Sequence, residues 1–228
     1  HEILGGILFC NRSERIVQSY GPYVFHAGDQ KRTGEALLDG CLARIARSKA
    51  LGLLSLSGLP PLLEGHFEPL GSLSLRIPGA APTERRFFFR HLHEDPGCEV
   101  WSQVELTAWL RGQYDRLVLA REIRTVRAMG ETQSGSSLLA AEILRERSET
   151  VLRPLLPGAD LAANVEAHVS FLKEDGIANL LFELDLGIPW HGALIPVLFA
   201  NHFEPRIILP FAGQADLIIF QHNDATEF

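Results

Sequence analysis

The chain has 228 residues, of which 46% are hydrophobic and 21% charged, and its formal net charge is −7 at pH 7. This length favours one large domain or two small ones, each with a core of its own. The acidic balance argues against general binding along a nucleic-acid backbone, and the apolar runs are too short to cross a bilayer. We therefore expect a globular protein without a nucleic-acid or membrane partner.

Three cysteines, Cys10, Cys41 and Cys98, lie far apart and without CxxC spacing. Their odd number and spacing argue against a disulfide framework and against a zinc site, and reduced thiols predict a cytoplasmic location. The segment His91–Asp95 places two imidazoles on one strand face. Because no distant third ligand is identifiable, we assign no metal.

Apolar periodicity predicts the elements of the first part of the chain. A hairpin over 3–9 and 15–20 continues past Gly21-Pro22, where the Gly-Pro pair predicts a bulge or a splayed strand. Helical spacing predicts a helix over 33–48, with Thr33 as its N-cap. The elements predicted after it are a strand over 50–56, a short helix over 62–65, and strands over 70–77 and 86–92.

The second part begins with an amphipathic helix predicted over Val104–Ile123. Periodicity does not decide whether Leu138–Leu144 is a helix or a strand. The elements predicted beyond it are a strand over 151–156, a helix over 161–173, a strand over 179–184, a helix over 189–200, and a closing strand pair over 206–210 and 217–221.

The tetrapeptide His-Phe-Glu-Pro occurs twice, at 66–69 and again 136 residues later at 202–205. Each copy follows an apolar strand and a proline-opened helix, and a strand, a turn and an amphipathic helix lie further upstream. The repeated order of elements predicts two related α/β units. We place the first unit at residues 1–85 and the second at 86–228.

The stretch Gly21–Leu38 predicts a binding site from its local chemistry. The strand-like run Tyr23-Val24-Phe25 leads through a polar turn and the basic pair Lys31-Arg32 into a helix. Exposed N–H groups at a helix N-terminus, beside two cations, can bind an anion. The alternative interpretation is an ordinary strand-to-helix connection with a solvated basic turn.

The order of strand, basic glycine loop, helix, apolar strand, short helix and final strand pair resembles the GNAT acyltransferase superfamily. The segment from Lys31 to Ala36 is similar to that family's Arg/Gln-x-x-Gly-x-Gly/Ala loop, with Lys in the first position. Phe67 and Phe203 match the Phe of the family's Tyr-x-x-x-Gly-Phe turn, and His66 and His202 replace its Gly. The resemblance implies an α/β fold of two GNAT-like units, each a mixed, mostly antiparallel twisted sheet with flanking helices.

The resemblance also implies acetyl-CoA or another acyl-CoA as a substrate of the first unit, and a small-molecule amine or a peptide as the acceptor. The pantetheine arm would pair with the splayed strand, where a backbone N–H would stabilise the oxyanion. The pyrophosphate would lie in a cradle of backbone N–H groups from Arg32 to Ala36 at the helix start, where Gly34 would permit close approach because it has no Cβ. The cofactor-binding residues are then Tyr23, Val24, Phe25, Lys31, Arg32, Thr33, Gly34, Glu35 and Ala36. A homodimer is a possible assembly that the resemblance leaves undecided.

The sequence departs from the family pattern in three places. Two concern catalysis and phosphate binding, and the third concerns the opening elements of the first unit. The family's usual acid, a Tyr five residues before the Phe, corresponds to Leu62 and Leu198, which cannot protonate a thiolate. Tyr20 and His66 are the remaining catalytic candidates. The second phosphate loop has no basic residue, and Asp160 would repel pyrophosphate. The first unit lacks the family's opening strand and helices, so we expect missing N-terminal residues or a rearranged fold.

Two other functional classes stay open beside an acyl-CoA-dependent N-acyltransferase. A non-catalytic GNAT-like binding or regulatory module would keep the fold without turnover, as Leu62 favours. A repeated α/β protein unrelated to GNAT would use residues 31–36 as a solvated turn.

Overall fold

A computed structural model describes residues 3–25, 28–56, 59–77, 79–126 and 135–223. Within these ranges the α/β chain forms two mixed five-stranded sheets and a smaller two-stranded sheet. Its contacts define two compact units. The first comprises residues 1–72, 85–96 and 209–212, and the second comprises 73–84, 97–208 and 213–228. The single boundary placed after residue 85 therefore differs from this division, because the strand over 83–91 pairs within the first sheet.

The first sheet opens with an antiparallel pair, β1 (Gly5–Asn11) and β2 (Ile16–Val24). Helix α1 (Gln30–Ile45) leads to β3 (Gly52–Ser55), which lies parallel to β2. A 3₁₀ helix (Pro61–His66) then precedes β4 (Glu68–Leu75) and β5 (Thr83–His91). The order across the sheet is β1-β2-β3-β5-β4.

One face of α1 packs against the core of the first unit. Leu38, Cys41 and Ile45 recur at intervals of three and four residues and are buried together with Val17 and Leu53. Burial raises the pKa of the Cys41 thiol. This spacing is the apolar period from which the helix is predicted.

Helix α1 begins three residues earlier than the sequence predicts. Its N-cap is Asp29, whose carboxylate accepts a hydrogen bond from the Arg32 N–H at 3.0 Å. The Thr33 N–H donates to the Asp29 carbonyl at 3.0 Å, so Thr33 already lies inside the helix. The prediction of Thr33 as the N-cap is wrong because Asp29 also caps well and lies in front of residues that extend the helix.

A short parallel sheet follows in the second unit. It consists of β6 (Cys98–Ser102) and β7 (Arg121–Thr125), joined by α2 (Val104–Leu117). The helix predicted over Val104–Ile123 is therefore too long. It ends where Val118 adopts a left-handed conformation with φ of 53°, and the residues after the turn pair with β6 instead.

The second sheet has five strands, and three α-helices lie between them along the chain. They are β8 (Leu138–Leu144), β9 (Glu149–Leu156), α3 (Leu161–Glu174), β10 (Asn179–Asp185), α4 (Pro189–Gly192), α5 (Ile195–Ala200), β11 (Phe203–Leu209) and β12 (Leu217–His222). The order across the sheet is β11-β12-β10-β9-β8. The segment that periodicity leaves undecided is thus strand β8, and the helix predicted over 189–200 is two short helices.

The two sheets have the same plan. Each begins with an antiparallel pair, crosses through a helix to a parallel third strand, and sets its last strand beside that third strand. Strands β5 and β12 are these last strands, and each is antiparallel to its neighbour. Each His-Phe-Glu-Pro segment lies at the start of the fourth strand of its sheet, as a duplicated unit would place it.

A buried ion pair joins β7 to the segment before β12. The guanidinium of Arg121 donates to both carboxylate oxygens of Asp216, at 2.7 and 3.1 Å, and both side chains are 0% exposed. The guanidinium carbon also lies 5.8 Å from the centre of the Tyr114 ring. Burial and the neighbouring Asp216 charge raise the pKa of the Tyr114 hydroxyl.

We predict that Arg121→Met lowers the free energy of unfolding by about 3–5 kcal/mol, because it leaves the Asp216 carboxylate buried without its partner. The matched variant Arg124→Met removes an arginine of the same strand whose bridge to Glu99 is about half exposed. It should cost less than about 1 kcal/mol. Urea unfolding followed by tryptophan fluorescence measures both, and equal losses would contradict the prediction.

Candidate functional site

Strand β2 is nine residues long but pairs with β3 over a short stretch only. In the part of the chain that the structure describes, the parallel register runs from Ile16↔Gly52 to Ser19↔Ser55. The half-strand Tyr20–Val24 continues beside β1, with a register shift around Gly21-Pro22. The irregularity predicted at this pair is confirmed. Alternate residues of this half-strand point their backbone N–H and C=O groups towards the side on which β3 pairs with the first half of β2.

A cavity of about 150 Å³ lies beside this half-strand. Its lining combines Val24 of β2 with the first turn of α1 and the start of the 3₁₀ helix: Val24, Gln30, Lys31, Pro60, Leu62 and Leu63. All of these residues belong to the first unit. The cavity lies beyond the carboxyl ends of two parallel strands, where open α/β sheets commonly bind ligands.

The charges at this end of α1 have mixed signs. Lys31 and Arg32 are exposed in the first turn, where the partial positive charge of the helix dipole favours an anion. Lys31 Nζ lies 3.9 Å from a carboxylate oxygen of Glu35. The Asp29 carboxylate caps the same helix end, so any bound anion would share this site with a fixed negative charge.

The backbone cradle predicted over residues 32–36 is not formed. The N–H groups of Arg32 and Thr33 donate to Asp29. Those of Gly34, Glu35 and Ala36 lie inside α1, where each amide bonds to the carbonyl four residues earlier. The prediction placed these N–H groups at the very start of the helix, and because the helix begins earlier, at Gln30, they lie beyond its first residues.

Gly34 also has a different role from the one predicted. It is buried, and a Cβ atom at this position would lie 3.2 Å from Leu63 Cδ1 and 3.9 Å from Pro22 Cγ. The missing side chain therefore allows the 3₁₀ helix to approach α1 closely. Leu63 is therefore the group that approaches Gly34 in the structure, and the close approach of a pyrophosphate there stays a prediction.

Two of the predicted site residues line the cavity, Val24 and Lys31. Tyr23 and Phe25 are 42% and 69% exposed and are not among the lining residues. The two catalytic candidates also lie outside the lining. The Tyr20 hydroxyl accepts a hydrogen bond from Gln18 Nε2, and exposed His66 ends the 3₁₀ helix, where its carbonyl accepts a hydrogen bond from Arg90 at 3.2 Å.

Sequence reasoning missed three lining residues, Gln30, Pro60 and Leu63. Asp29 would have indicated Gln30 as the first helical residue, because Asp is a preferred N-cap. Pro60-Pro61 marks the start of a helix, but no local pattern shows which α1 residues that helix contacts. Leu62, at the position of the family's acid, lines the cavity and is 58% exposed.

The corresponding place in the second unit is filled by the chain itself. Strand β9 pairs with β10 from Glu149 to Leu152 and then continues beside β8 alone within the described segments. At the start of α3, Asp160 accepts a hydrogen bond from the Ser137 N–H at 2.6 Å. Hydrogen bonds from the Ser137 side chain and from its backbone lower the pKa of the Asp160 carboxyl group. A Cβ atom at Gly158 would lie 2.2 Å from the Ser137 nitrogen. Among the described residues, the segment at Ser136 and Ser137 therefore occupies this helix end.

The described residues contain neither a cluster of metal ligands nor a membrane-spanning helix. No group of three or more His, Cys, Asp or Glu side chains is arranged there to hold a metal ion. None of the helices in the same ranges is both long and apolar enough to cross a bilayer.

We predict that Gly34→Val lowers the free energy of unfolding by about 1–3 kcal/mol, because its side chain would press the 3₁₀ helix away from α1. The matched control is Gly40→Val in the same helix, where an added Cβ meets no atom within 4 Å. That change should leave stability within about 1 kcal/mol of the original chain. Thermal unfolding of both variants is the measurement, and a neutral Gly34→Val would contradict this packing.

In comparisons with known proteins, no family model, curated protein sequence or solved structure matches the chain.

Proposed function

We propose that the first unit binds an acyl-CoA and that the protein is an acyl-CoA-dependent N-acyltransferase of the GNAT type. One observation carries the proposal: β2 separates from β3 beside a cavity that reaches the first turn of α1. Where β3 no longer pairs with it in the described residues, the edge of Tyr20–Val24 offers backbone groups to an extended amide-bearing chain. The helix end next to that edge carries Lys31 and Arg32, which suit the phosphates of the same molecule.

Different residues around the cavity suit different parts of the proposed ligand. Lys31 contributes its charge and, as the second helical residue, an N–H group without an acceptor in its own helix. Arg32 adds charge from the exposed surface of the same turn. Val24, Leu62 and Leu63 give the cavity apolar walls that suit the acyl end.

In the proposed reaction, the lone pair of an amine attacks the thioester carbon, so that a C–N bond forms and the C–S bond breaks. The thiolate leaves with the electron pair and takes up the proton that the amine loses. A backbone N–H of the half-strand would stabilise the oxyanion. Leu62 supplies no acid, so proton transfer would proceed through water unless Tyr20 or His66 moves towards the cavity.

The second candidate function is a non-catalytic GNAT-like module that binds acyl-CoA without turnover. It is favoured by the same leucine, because an exposed aliphatic side chain lines the cavity at the position of the family's acid. Both candidates share the ligand and differ only in acyl transfer. Binding and turnover must therefore be measured separately.

We extend the proposal to a cytoplasmic location and to an acceptor that is a small-molecule amine or a peptide. Cys10, Cys41 and Cys98 form no disulfide, and this supports a reducing compartment.

We predict that the intact chain binds CoA saturably and that Lys31→Glu weakens this binding about tenfold or more, because it replaces a cation with an anion at the helix end. Asp29→Asn should tighten binding, since Asn still caps the helix but carries no charge. Isothermal titration calorimetry with CoA and acetyl-CoA measures both effects.

The matched control for the charge change is Lys49→Glu, at an exposed site beyond the end of α1. It alters the net charge by the same amount as Lys31→Glu and should leave the CoA affinity unchanged. If the unmodified chain does not bind CoA, or if Lys49→Glu weakens binding as much as Lys31→Glu, the acyl-CoA proposal fails.

We predict that the protein releases free thiol from acetyl-CoA when amines are supplied, and that Leu62→Tyr raises this rate at saturating acetyl-CoA by adding an acid beside the cavity. Detection of the thiol with a chromogenic disulfide, across a panel of amines and short peptides, is the measurement. CoA binding without thiol release by either protein would favour the non-catalytic module.

A further inference from the structure

Strand β1 forms one edge of the first sheet, and no strand of the described residues pairs with its outer side. The Arg12 N–H donates to the Ile16 carbonyl, and the Phe25 N–H donates to the Leu4 carbonyl, both at 2.9 Å. Leu4 and Arg12 are an even number of residues apart, so every second residue from one to the other turns its backbone groups towards β2. The residues whose backbone groups point outwards are therefore Gly5, Ile7, Phe9 and Asn11.

This outer side of Gly5–Asn11, which we call the β1 edge, lacks the features that usually protect a sheet edge. The strand has no charged residue and no proline. Leu8 is 66% exposed and Phe9 is 37% exposed. An uncharged, apolar edge strand presents backbone donors and acceptors on which another strand can pair.

The other three edges of the two five-stranded sheets are protected. Edge strand β4 contains Glu68 and Pro69, and edge strand β11 contains Glu204 and Pro205. Edge strand β8 contains Glu142. Charge and proline at an edge disfavour pairing with another chain. The unprotected edge is therefore specific to β1 among these four strands.

We propose that the β1 edge pairs with the β1 edge of a second copy of the chain, antiparallel and around a two-fold axis at Leu8. An uncharged strand meets no like charge when it pairs with itself. Leu8 turns its own backbone groups towards β2, so it faces Leu8 of the second copy in a pair without hydrogen bonds, where side chains lie closest. Ile7 and Phe9 of the second copy then form a hydrogen-bonded pair, and the two-fold axis repeats it.

The size of the contact sets the strength that we expect. Ile3 and Leu4 are 77% and 48% exposed and extend the apolar surface at one end of β1. The edge is short, so the contact lies near the lower limit of specific interfaces, about 1,200 Å² of total buried area. A reversible dimer with a micromolar dissociation constant follows. No residue of the β1 edge lines the cavity beside β2, so the proposal does not depend on acyl-CoA binding.

The test is sedimentation velocity of the intact chain from about 1 to 200 μM, where a monomer–dimer equilibrium should be seen. Leu8→Lys and Leu8→Glu each place like charges opposite each other and should raise the dissociation constant about tenfold or more. An equimolar mixture of the two variants should associate again, because opposite charges then face each other. Circular dichroism checks that both variants fold, as the exposure of Leu8 leads us to expect.

A crosslink tests the register of the pair. The two-fold axis at Leu8 places Gly6 opposite Cys10 of the second copy, and Cys10 is exposed. An added Cβ at Gly6 meets no atom within 4 Å, so the strand can accept Gly6→Cys. With an added copper–phenanthroline oxidant, this variant should form disulfide-linked dimers, and combining it with Cys10→Ser should abolish them.

The matched control is Leu138→Lys, which changes a leucine of edge strand β8 that is 49% exposed and should leave the association unchanged. The proposal is overturned if the variant mixture associates no better than either variant alone, if Leu138→Lys weakens association as much as Leu8→Lys, or if crosslinking does not require Cys10. A chain that stays monomeric at the highest concentration also overturns it and leaves the β1 edge to a strand of another protein.

Discussion

The candidate acyl-CoA site depends on the short parallel pairing between β2 and β3. After Ser19↔Ser55 the two strands separate, and only β1 continues beside the outer half of β2 in the described chain. A parallel pair needs a crossover, and here the crossover is α1, whose first turn comes directly after the separated half-strand. One geometric constraint thus places a strand edge that β3 leaves within the described residues, a helix N-terminus and a cavity beside each other.

The second sheet repeats the short parallel pairing, but a contact within the chain lies where the first unit has its cavity. Strand β9 also leaves β10 after a short pairing, yet Ser137 bonds to Asp160 at the start of α3 and fills the space. In the described residues, the repeated topology is therefore accompanied by a cavity at this place in the first unit and by the Ser137–Asp160 contact in the second. The second unit differs in another place as well, because Arg206 stands where the first copy has the core residue Leu70.

Electrostatics at the start of α1 is a balance between stability and binding. The Asp29 cap stabilises a helix by about 1 kcal/mol, and a charge near a helix end is worth a similar amount. The carboxylates of Asp29 and Glu35 oppose a bound phosphate, and the side chains of Lys31 and Arg32 attract it. Because these four charges sum to zero, the helix dipole and contacts along β2 supply the attraction that the proposed ligand needs.

Local patterns in the sequence determine the α/β class, the bulge at Gly21-Pro22, most strands and the repeated order of elements, because apolar period and turn residues act over a few positions. Helix ends were less predictable. Asp29 and Thr33 are both suitable N-cap residues for α1, and α2 ends at Val118 although apolar residues continue beyond it. Only the tertiary structure decided that Gly34 contacts Leu63 and that Gln30 and Pro60 line one cavity. Residues distant along the chain meet there through packing, which no local period encodes.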